Sequence, residues 1–371
     1  MRVVVCTIVH HPADARIYHR QIRALLDAGH QVRYIAPAGE TAFTAERSVP
    51  ELQVTPVPRA SGRRRLGALL AARRELARHA ADADLLLVHD PELLLALPRH
   101  RPPAVWDVHE DTAAALSTKP WLPKSLRPVA ASGVRTAERL AERRLHLILA
   151  EHGYVPRFRR PHPVVPNTTY VPDRAAPPGD RASGAGRRVL YVGHLSPDRG
   201  SAEMVELARL LRPHGVRVEL VGPADGRARS QIEPAQAAGL LRWHGFVPND
   251  QAMPMMDGAL AGLSLLYDEP NFRHSLPTKV VEYMARGVPV VTTPLPAAAE
   301  LAQRHHCGFV VPFNDPQAAA DAVLELDRDP SLRVKMGRCG HEAAQKSLGW
   351  PADAREFVAQ MEMWAAGKGS Q

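Results

Sequence analysis

The sequence predicts an α/β protein made of two Rossmann-like, doubly wound parallel-sheet domains. Three observations carry this. Short, wholly apolar runs alternate with helical segments from the amino terminus onward, the pattern of strands buried on both faces. The alternation restarts at "RRVLYVGHLSPDRG" after a stretch without periodicity. Finally, 371 residues suffice for two separate cores, whereas a single domain of that size would be unusual.

Met1–Val9 reads as the first strand, and "RIYHRQIRALLDAGHQVRYIAP" as a helix, a stop at Gly29 and a second strand. "ADLLLVHDPELLLALPRH" and "PAVWDVHE" repeat the pattern, each strand running into a loop with His or charge. These segments place a first domain at residues 1–170. "YVPDRAAPPGDRASGAGRR" gathers Pro, Gly, Ala and charge as linkers do, which sets residues 171–187 apart. The second domain, 188–349, continues through "VRVELVGPA", "LLRWHGFV", "GALAGLSLLY" and "SLPTKVVEYMARGVPVV". Residues 350–371 read as a terminal helix able to pack back on either domain, the first in particular. Ligands of such sheets collect outside the carboxyl ends of the strands, so a central cleft faced by both domains is expected.

The net charge of +8 and pI near 9.7 imply an anionic partner. Nucleic acid is set aside, because the basic clusters are not interleaved with aromatics and no reading motif is present. Arg-rich stretches at 59–78 and 124–144 fit either a solvated face or transient contact with anionic lipid. Cys6, Cys307 and Cys339 are far apart with no CxxC spacing, which supports neither a disulfide framework nor a zinc site. The first apolar run is too short for a signal peptide core or a spanning helix. A cytoplasmic protein is expected, peripheral at most at the inner membrane face.

The segment at 275–291 is the most informative. If Pro277 opens a helix and Gly287 closes it, Lys279 lies in the first turn, where the helix dipole disfavours a cation. A phosphorylated ligand in front of that helix would reverse the balance, with Ser275 or Thr278 capping and the first amides facing the anion. Glu282, one turn on, could then accept two ribose hydroxyls. The same two residues also fit a plain exposed i,i+3 pair worth about 0.2–0.5 kcal/mol. "YVGHLSPDRG" runs a strand into a Gly193 turn and a loop carrying Arg199, which fits a second phosphate clamp or a solvated turn residue.

Together "GHQV", "VVPNTT", "YVGHLSPDRG", "VELVGP", "HGFVP" and "SLPTKVVEYMARGVPVV" resemble the family 4 glycosyltransferases, retaining enzymes of the GT-B fold that use nucleotide-diphosphate sugars. The resemblance implies that Arg199 and Lys279 hold the diphosphate beside Gly193. His194 and Arg199 stand where the family loop usually has an arginine and a lysine. It implies a base pocket at Gly222, Phe246 and Val247. Glu282 matches the second of two family glutamates, while His274 stands at the first. Asn271, Arg273 and His274 are then the candidates for contact with the donor sugar, and Ser275 and Leu276 are counted to the donor-binding site. In the first domain His109 takes the place of a family histidine of the donor-sugar site and counts as catalytic with Arg199 and Lys279. His11, Asp14, Arg16 and Asp90 are assigned to the acceptor side.

The implied function is transfer of a sugar from a nucleotide-diphosphate donor to an acceptor hydroxyl, with retention. The acceptor class stays open among a glycan, a lipid-linked sugar and a small metabolite. No cofactor beyond the co-substrate is expected, and no metal, since no DxD triplet occurs in the loops of either site and cationic side chains face the diphosphate. Two alternatives share the architecture: a nucleotide-sugar epimerase and a non-catalytic nucleotide-sugar-binding partner subunit. A dehydrogenase is set aside, because no G-x-G-x-x-G follows the first strand.

Overall fold

A computed structural model describes residues 1–38, 50–118, 123–175 and 187–367. Residues 176–186, most of the expected linker, lie outside them. The chain divides into two units, Met1–Asn167 with the segment from Pro351 onward, and Thr168–Trp350.

The first unit is built on β1 (Arg2–Cys6), β2 (Gln31–Pro37), β3 (Leu52–Val57), β4 (Leu85–Val88), β5 (Ala104–Val108) and β6 (His146–Leu149). They form one sheet in the order β3-β2-β1-β4-β5-β6, with every pairing parallel. β1, β4 and β5 are buried almost throughout, which is why they read as unbroken apolar runs. The strand order reverses between β1 and β4, and loops leaving a sheet at such a point splay apart and leave a crevice. The first helix departs from the expected form. It starts as a π-helix over Ile17–Ile22 and continues as an α-helix over Arg23–Asp27. The terminal helix Trp350–Ala365 belongs mainly to this unit: His30 Nε2 lies 2.9 Å from a Glu362 oxygen, and Trp364 stacks on His146 with centroids 4.6 Å apart.

The second unit repeats the plan with β7 (Arg188–Val192), β8 (Arg217–Val221), β9 (Leu241–Trp243), β10 (Ala261–Ser264), β11 (Val290–Thr292) and β12 (Gly308–Val310). The order is β12-β11-β10-β7-β8-β9, again parallel, with the reversal between β7 and β10. The helix Thr278–Ala285 lies against this sheet with every residue from Lys279 to Ala285 buried. Its Tyr283 hydroxyl accepts from Val192 N–H at 3.1 Å and lies 3.3 and 3.2 Å from the carbonyls of Leu190 and Leu263. A Cβ on Gly262 would fall 2.2 Å from the Tyr283 ring, so β10 must carry glycine there.

Gly262→Ala is expected to destabilise the protein by about 1–3 kcal/mol through forced displacement of Tyr283. Urea unfolding of the full chain checks this, and an unchanged midpoint would show that the helix is not pinned by that ring.

Candidate functional site

In the first unit the site residues leave the carboxyl ends of β1, β4 and β5. Asp107, inside β5, is completely buried. Arg16 grips it with two nitrogens, Nε and Nη2, each 2.7 Å from a carboxylate oxygen. Gln21 Nε2 adds a bond at 2.9 Å and His89 Nδ1 a fourth contact at 3.1 Å. Arg16 and Gln21 are one π-turn apart, joined by Gln21 N–H to Arg16 C=O at 3.0 Å. That wider turn stacks residues five apart, so both side chains reach one carboxylate. Burial alone would raise the Asp107 pKa, but Arg16 and then His89 hold it well below the usual carboxylate range.

Arg16 also donates through Nη1 to Val165 C=O and Asn167 Oδ1. All three of its nitrogens are therefore engaged within the protein, and it braces the site instead of facing a ligand. Asp90 has a comparable job. One oxygen accepts from the Thr7 hydroxyl at 3.0 Å and from the N–H groups of Ile8 and Val9, fixing the loop after β1. Asp14 accepts from the N–H groups of Arg16 and Ile17 at the start of the π-helix. His11 Nδ1 accepts from Ala13 N–H at 3.0 Å, which tightens the same loop.

His109 follows β5 and is partly buried. Its Nε2 lies 2.9 Å from His10 Nε2. A cavity of about 780 Å³ opens among Val9, His10, Asp90, Trp106, His109 and Thr112. His89, Asp107 and His109 bring three ligating atoms within 4.8 Å of one another. Both Asp107 oxygens are already committed to Arg16, however, so this set is a charge-paired core and does not fit a cation. The residues that sequence reasoning passed over are Asp107, His10, His89 and Gln21. Their one visible signal was a carboxylate in the middle of the buried strand "AVWDV".

In the second unit the loops after β7, β8 and β10 meet the start of the helix Thr278–Ala285. Gly193 and Gly222 have φ of +132° and +135°, and a Cβ on Gly222 would fall 2.0 Å from the Gly193 carbonyl oxygen. Only glycine permits that approach. A Cβ on Gly193 would stand 3.5 Å from Lys279 Cε, which places Lys279 beside this turn. Pro277 is the N-cap, not the first helical residue, and no side chain caps the helix. Ser275 Oγ is 3.4 Å from Asn271 C=O instead, so the expected cap by Ser275 or Thr278 is absent and the helix start carries backbone donors only.

Lys279 is 6 % exposed, which replaces the exposed-pair alternative with a buried cation. Burial first, then the Arg199 charge, push its pKa down to about 7, while Glu282 pulls the other way. Its Nζ lies 4.9 Å from the Tyr191 ring centroid. Arg199 sits 5.6 Å over the Phe272 ring in the short turn Pro197–Arg199 that Gly200 closes with φ of +81°. Glu282 is buried at 5 %. His194 is exposed, its pKa lowered by partial burial and by Arg199. Asn271, Ser275 and Leu276 are half-buried, whereas His274 is exposed. Arg273 is exposed too and pairs with Asp268 at 2.6 Å. Phe246 is exposed and Val247 half-buried, in the loop after β9, while Gly222 N–H donates to Gly245 C=O at 2.7 Å. A buried cation and a second one nearby, before an uncapped helix start, can neutralise an anion with two charges.

Two six-stranded, doubly wound parallel sheets are the architecture of the GT-B class of glycosyltransferases. The chain belongs to family 4 of that class: residues 15–158 match Glycosyltransferase Family 4 and residues 180–343 match Glycosyl transferases group 1. It is similar to the putative colanic acid biosynthesis glycosyltransferase WcaL of Salmonella typhimurium, 30% identical over 153 residues. That match covers 40% of this chain and 38% of the relative, so well under half of the relative's length is spanned. Phosphatidyl-myo-inositol mannosyltransferase of Mycobacterium leprae is 26% identical over 366 residues, covering 94% of this chain and 92% of that protein. Among solved structures, Anabaena HepE in complex with UDP-glucose superposes with a TM-score of 0.70 at 16% identity, over 98% of this chain and 99% of that one. That likeness speaks to the fold alone.

Arg16→Met should strand the buried Asp107 carboxylate and cost about 3–5 kcal/mol at pH 7. Adding Asp107→Asn should recover part of the loss, because the unpaired charge goes with it. Urea unfolding of the single and double variants measures both; equal stability of the two would refute the charge-pair account. Because the folded pKa of Asp107 is depressed, the pair stabilises above the ordinary carboxylate pKa and its contribution fades as pH falls through the depressed value.

Proposed function

We propose that the protein transfers a glycosyl group from a nucleotide-diphosphate sugar held by the second unit to an acceptor hydroxyl held by the first. The observation that carries this reading is Lys279: a buried ammonium in the first turn of a helix, with its pKa lowered to about 7 by burial and Arg199. A diphosphate in front of it would restore the charge and receive the helix amides at once. The UDP-glucose bound by the structurally similar Anabaena protein accords with such a donor.

As the glycosidic bond breaks, the leaving diphosphate gains negative charge. Lys279, Arg199 and the amides at the start of Thr278–Ala285 are then fixed donors for it, the arrangement that lowers a barrier of this kind. Glu282 is assigned to accept ribose hydroxyls. Retention is part of the proposal. With His274 where the family commonly has a glutamate, no carboxylate nucleophile is assigned. Same-face attack through a short-lived oxocarbenium ion pair is favoured, a donor phosphate oxygen taking the acceptor proton. The charge on Lys279 and Arg199 makes a metal unnecessary to this scheme. The acceptor is assigned to the cavity beside His109 and Asp90.

No helix among the described residues is long and apolar enough to cross a membrane. Leu126, Val129 and Leu140 are nevertheless exposed at 52%, 70% and 51%, near Arg139, Arg143 and Arg144. These apolar anchors on a basic face favour transient contact with an anionic lipid surface, in keeping with a lipid-linked acceptor.

Lys279→Met and Arg199→Ala are each expected to lower the transfer rate by a factor of about 10²–10³, the usual penalty for one fixed donor. The pyrophosphate of a nucleotide sugar does not titrate near neutrality. Its binding should therefore take up a proton at Lys279, and affinity should fall up to about tenfold per pH unit above pH 7. Calorimetry with UDP-glucose and GDP-mannose between pH 6 and 9 reads the slope, which Lys279→Met should abolish. A flat profile in the native protein would argue against a phosphate beside Lys279. The anomeric configuration of the product, read by proton NMR, tests retention.

A further inference from the structure

His10 and His109 meet through their Nε2 atoms at 2.9 Å. Two imidazole nitrogens at this distance need one N–H and one lone pair between them. Their other partners decide which ring donates. His109 Nδ1 lies 3.1 Å from the Asp107 carbonyl oxygen, which can only accept, so Nδ1 carries the hydrogen. A neutral His109 then has its lone pair on Nε2, and His10 Nε2–H is the donor. That same N–H has a second acceptor in Asp90 Oδ1 at 3.3 Å.

The surroundings also place the positive charge. His10 faces Asp90 on one side and, through Nδ1 at 3.8 Å, Asp14 on the other. Asp107 is the nearest carboxylate to His109, at 3.7 Å, but its charge is already matched by Arg16. Burial pushes both rings toward neutrality. For His10 the charges of Asp14, Asp90, Glu110 and Asp107 outweigh it and the pKa rises. For His109 the His10 cation adds to burial, with His89 on the same side and Asp107 and Glu110 opposing, and the pKa falls.

We propose that His10 is the positioning residue of His109: it donates to His109 Nε2, carries the charge of the pair, and keeps His109 a neutral hydrogen-bond acceptor. Because His10 N–H is shared with Asp90 Oδ1, it can leave His109 for the carboxylate without losing an acceptor. A sugar hydroxyl entering the cavity can then donate to the released His109 lone pair, with no buried donor left unpaired. This use of the dyad rests on the proposed glycosyl transfer; the direction of the hydrogen bond does not.

The first test is long-range proton–nitrogen NMR of the histidine rings in the ¹⁵N-labelled full chain, without substrate. The expected spectra show neutral His109 as the Nδ1–H tautomer and, as pH is lowered, His10 doubly protonated before His109. A His109 that takes up its second proton first, or an Nε2–H tautomer of His109, would overturn the proposal. The second test is His10→Leu, which removes the cation and should raise the His109 midpoint. His10→Gln keeps an N–H donor and should raise it less; identical midpoints in all three proteins would reduce His10 to a packing role. If His10→Leu does not fold, His10→Gln and the native tautomer still decide. In transfer assays with UDP-glucose or GDP-mannose the acid limb of the rate profile should move with the His109 midpoint, and His10→Gln should keep more of the native rate than His10→Leu. Failure of transfer with every nucleotide sugar would count against the glycosyltransferase reading while the NMR result stands on its own.

Discussion

The first unit is organised around one buried carboxylate. Asp107 sits where β5 ends and would be untenable there as a lone charge. Arg16 and Gln21 reach it because their helix begins with a π-turn, and Arg16 then ties on to Val165 and Asn167, at the far end of the unit's chain. The carboxylate also orients His89, and the backbone carbonyl of the same residue orients His109. One ion pair therefore sets the helix register, anchors the segment that leaves the unit, and aims two histidines. Removing either partner would disturb all of these together, which is why Arg16 belongs to the scaffold although its position next to the first loop suggested a ligand contact.

The second unit solves a different problem with the opposite sign. One of its buried charges is Lys279, placed beside Arg199 and before a helix start without a side-chain cap, with Glu282 offsetting only part of the local positive potential. A structural ion pair like Arg16–Asp107 is complete without a ligand. A lysine driven toward neutrality would, in the proposed function, be completed by an arriving anion. The contrast separates the two more clearly than burial does, since Asp107 and Lys279 are both buried.

Much of this was legible in the sequence. Apolar runs ending in His, Asp or Gly marked β1, β4, β5, β7 and β10, and the position of Lys279 against the helix dipole raised the question that burial answers. Strands without such a signature were harder. β3, "LQVTPV", carries Pro56 and lies at the edge of its sheet, and β12 is three residues long. Side-chain direction in loops was not legible at all: of the adjacent His10 and His11, the sequence offered no means of telling which ring meets His109. The π-turn was equally hidden, because a helix of five-residue spacing has no pattern distinct from an α-helix over six residues. Capping was misjudged for a related reason, as Pro277 fixes the entry of the chain without help from Ser275 or Thr278.

The Tyr283 hydroxyl, held between Val192, Leu190 and Leu263, bears on selectivity. It fastens the helix that begins beside Lys279 to two strands of the sheet, so the seat for an anion is rigid before anything binds. In the proposed function, a rigid seat of this kind would be indifferent to what lies beyond the phosphates. Under that proposal, discrimination among bases and sugars would reside in the loops around Phe246 and residues 268–276, which can change without disturbing the seat. Divergence of donor preference would leave the helix and Gly262 untouched and accumulate in those loops.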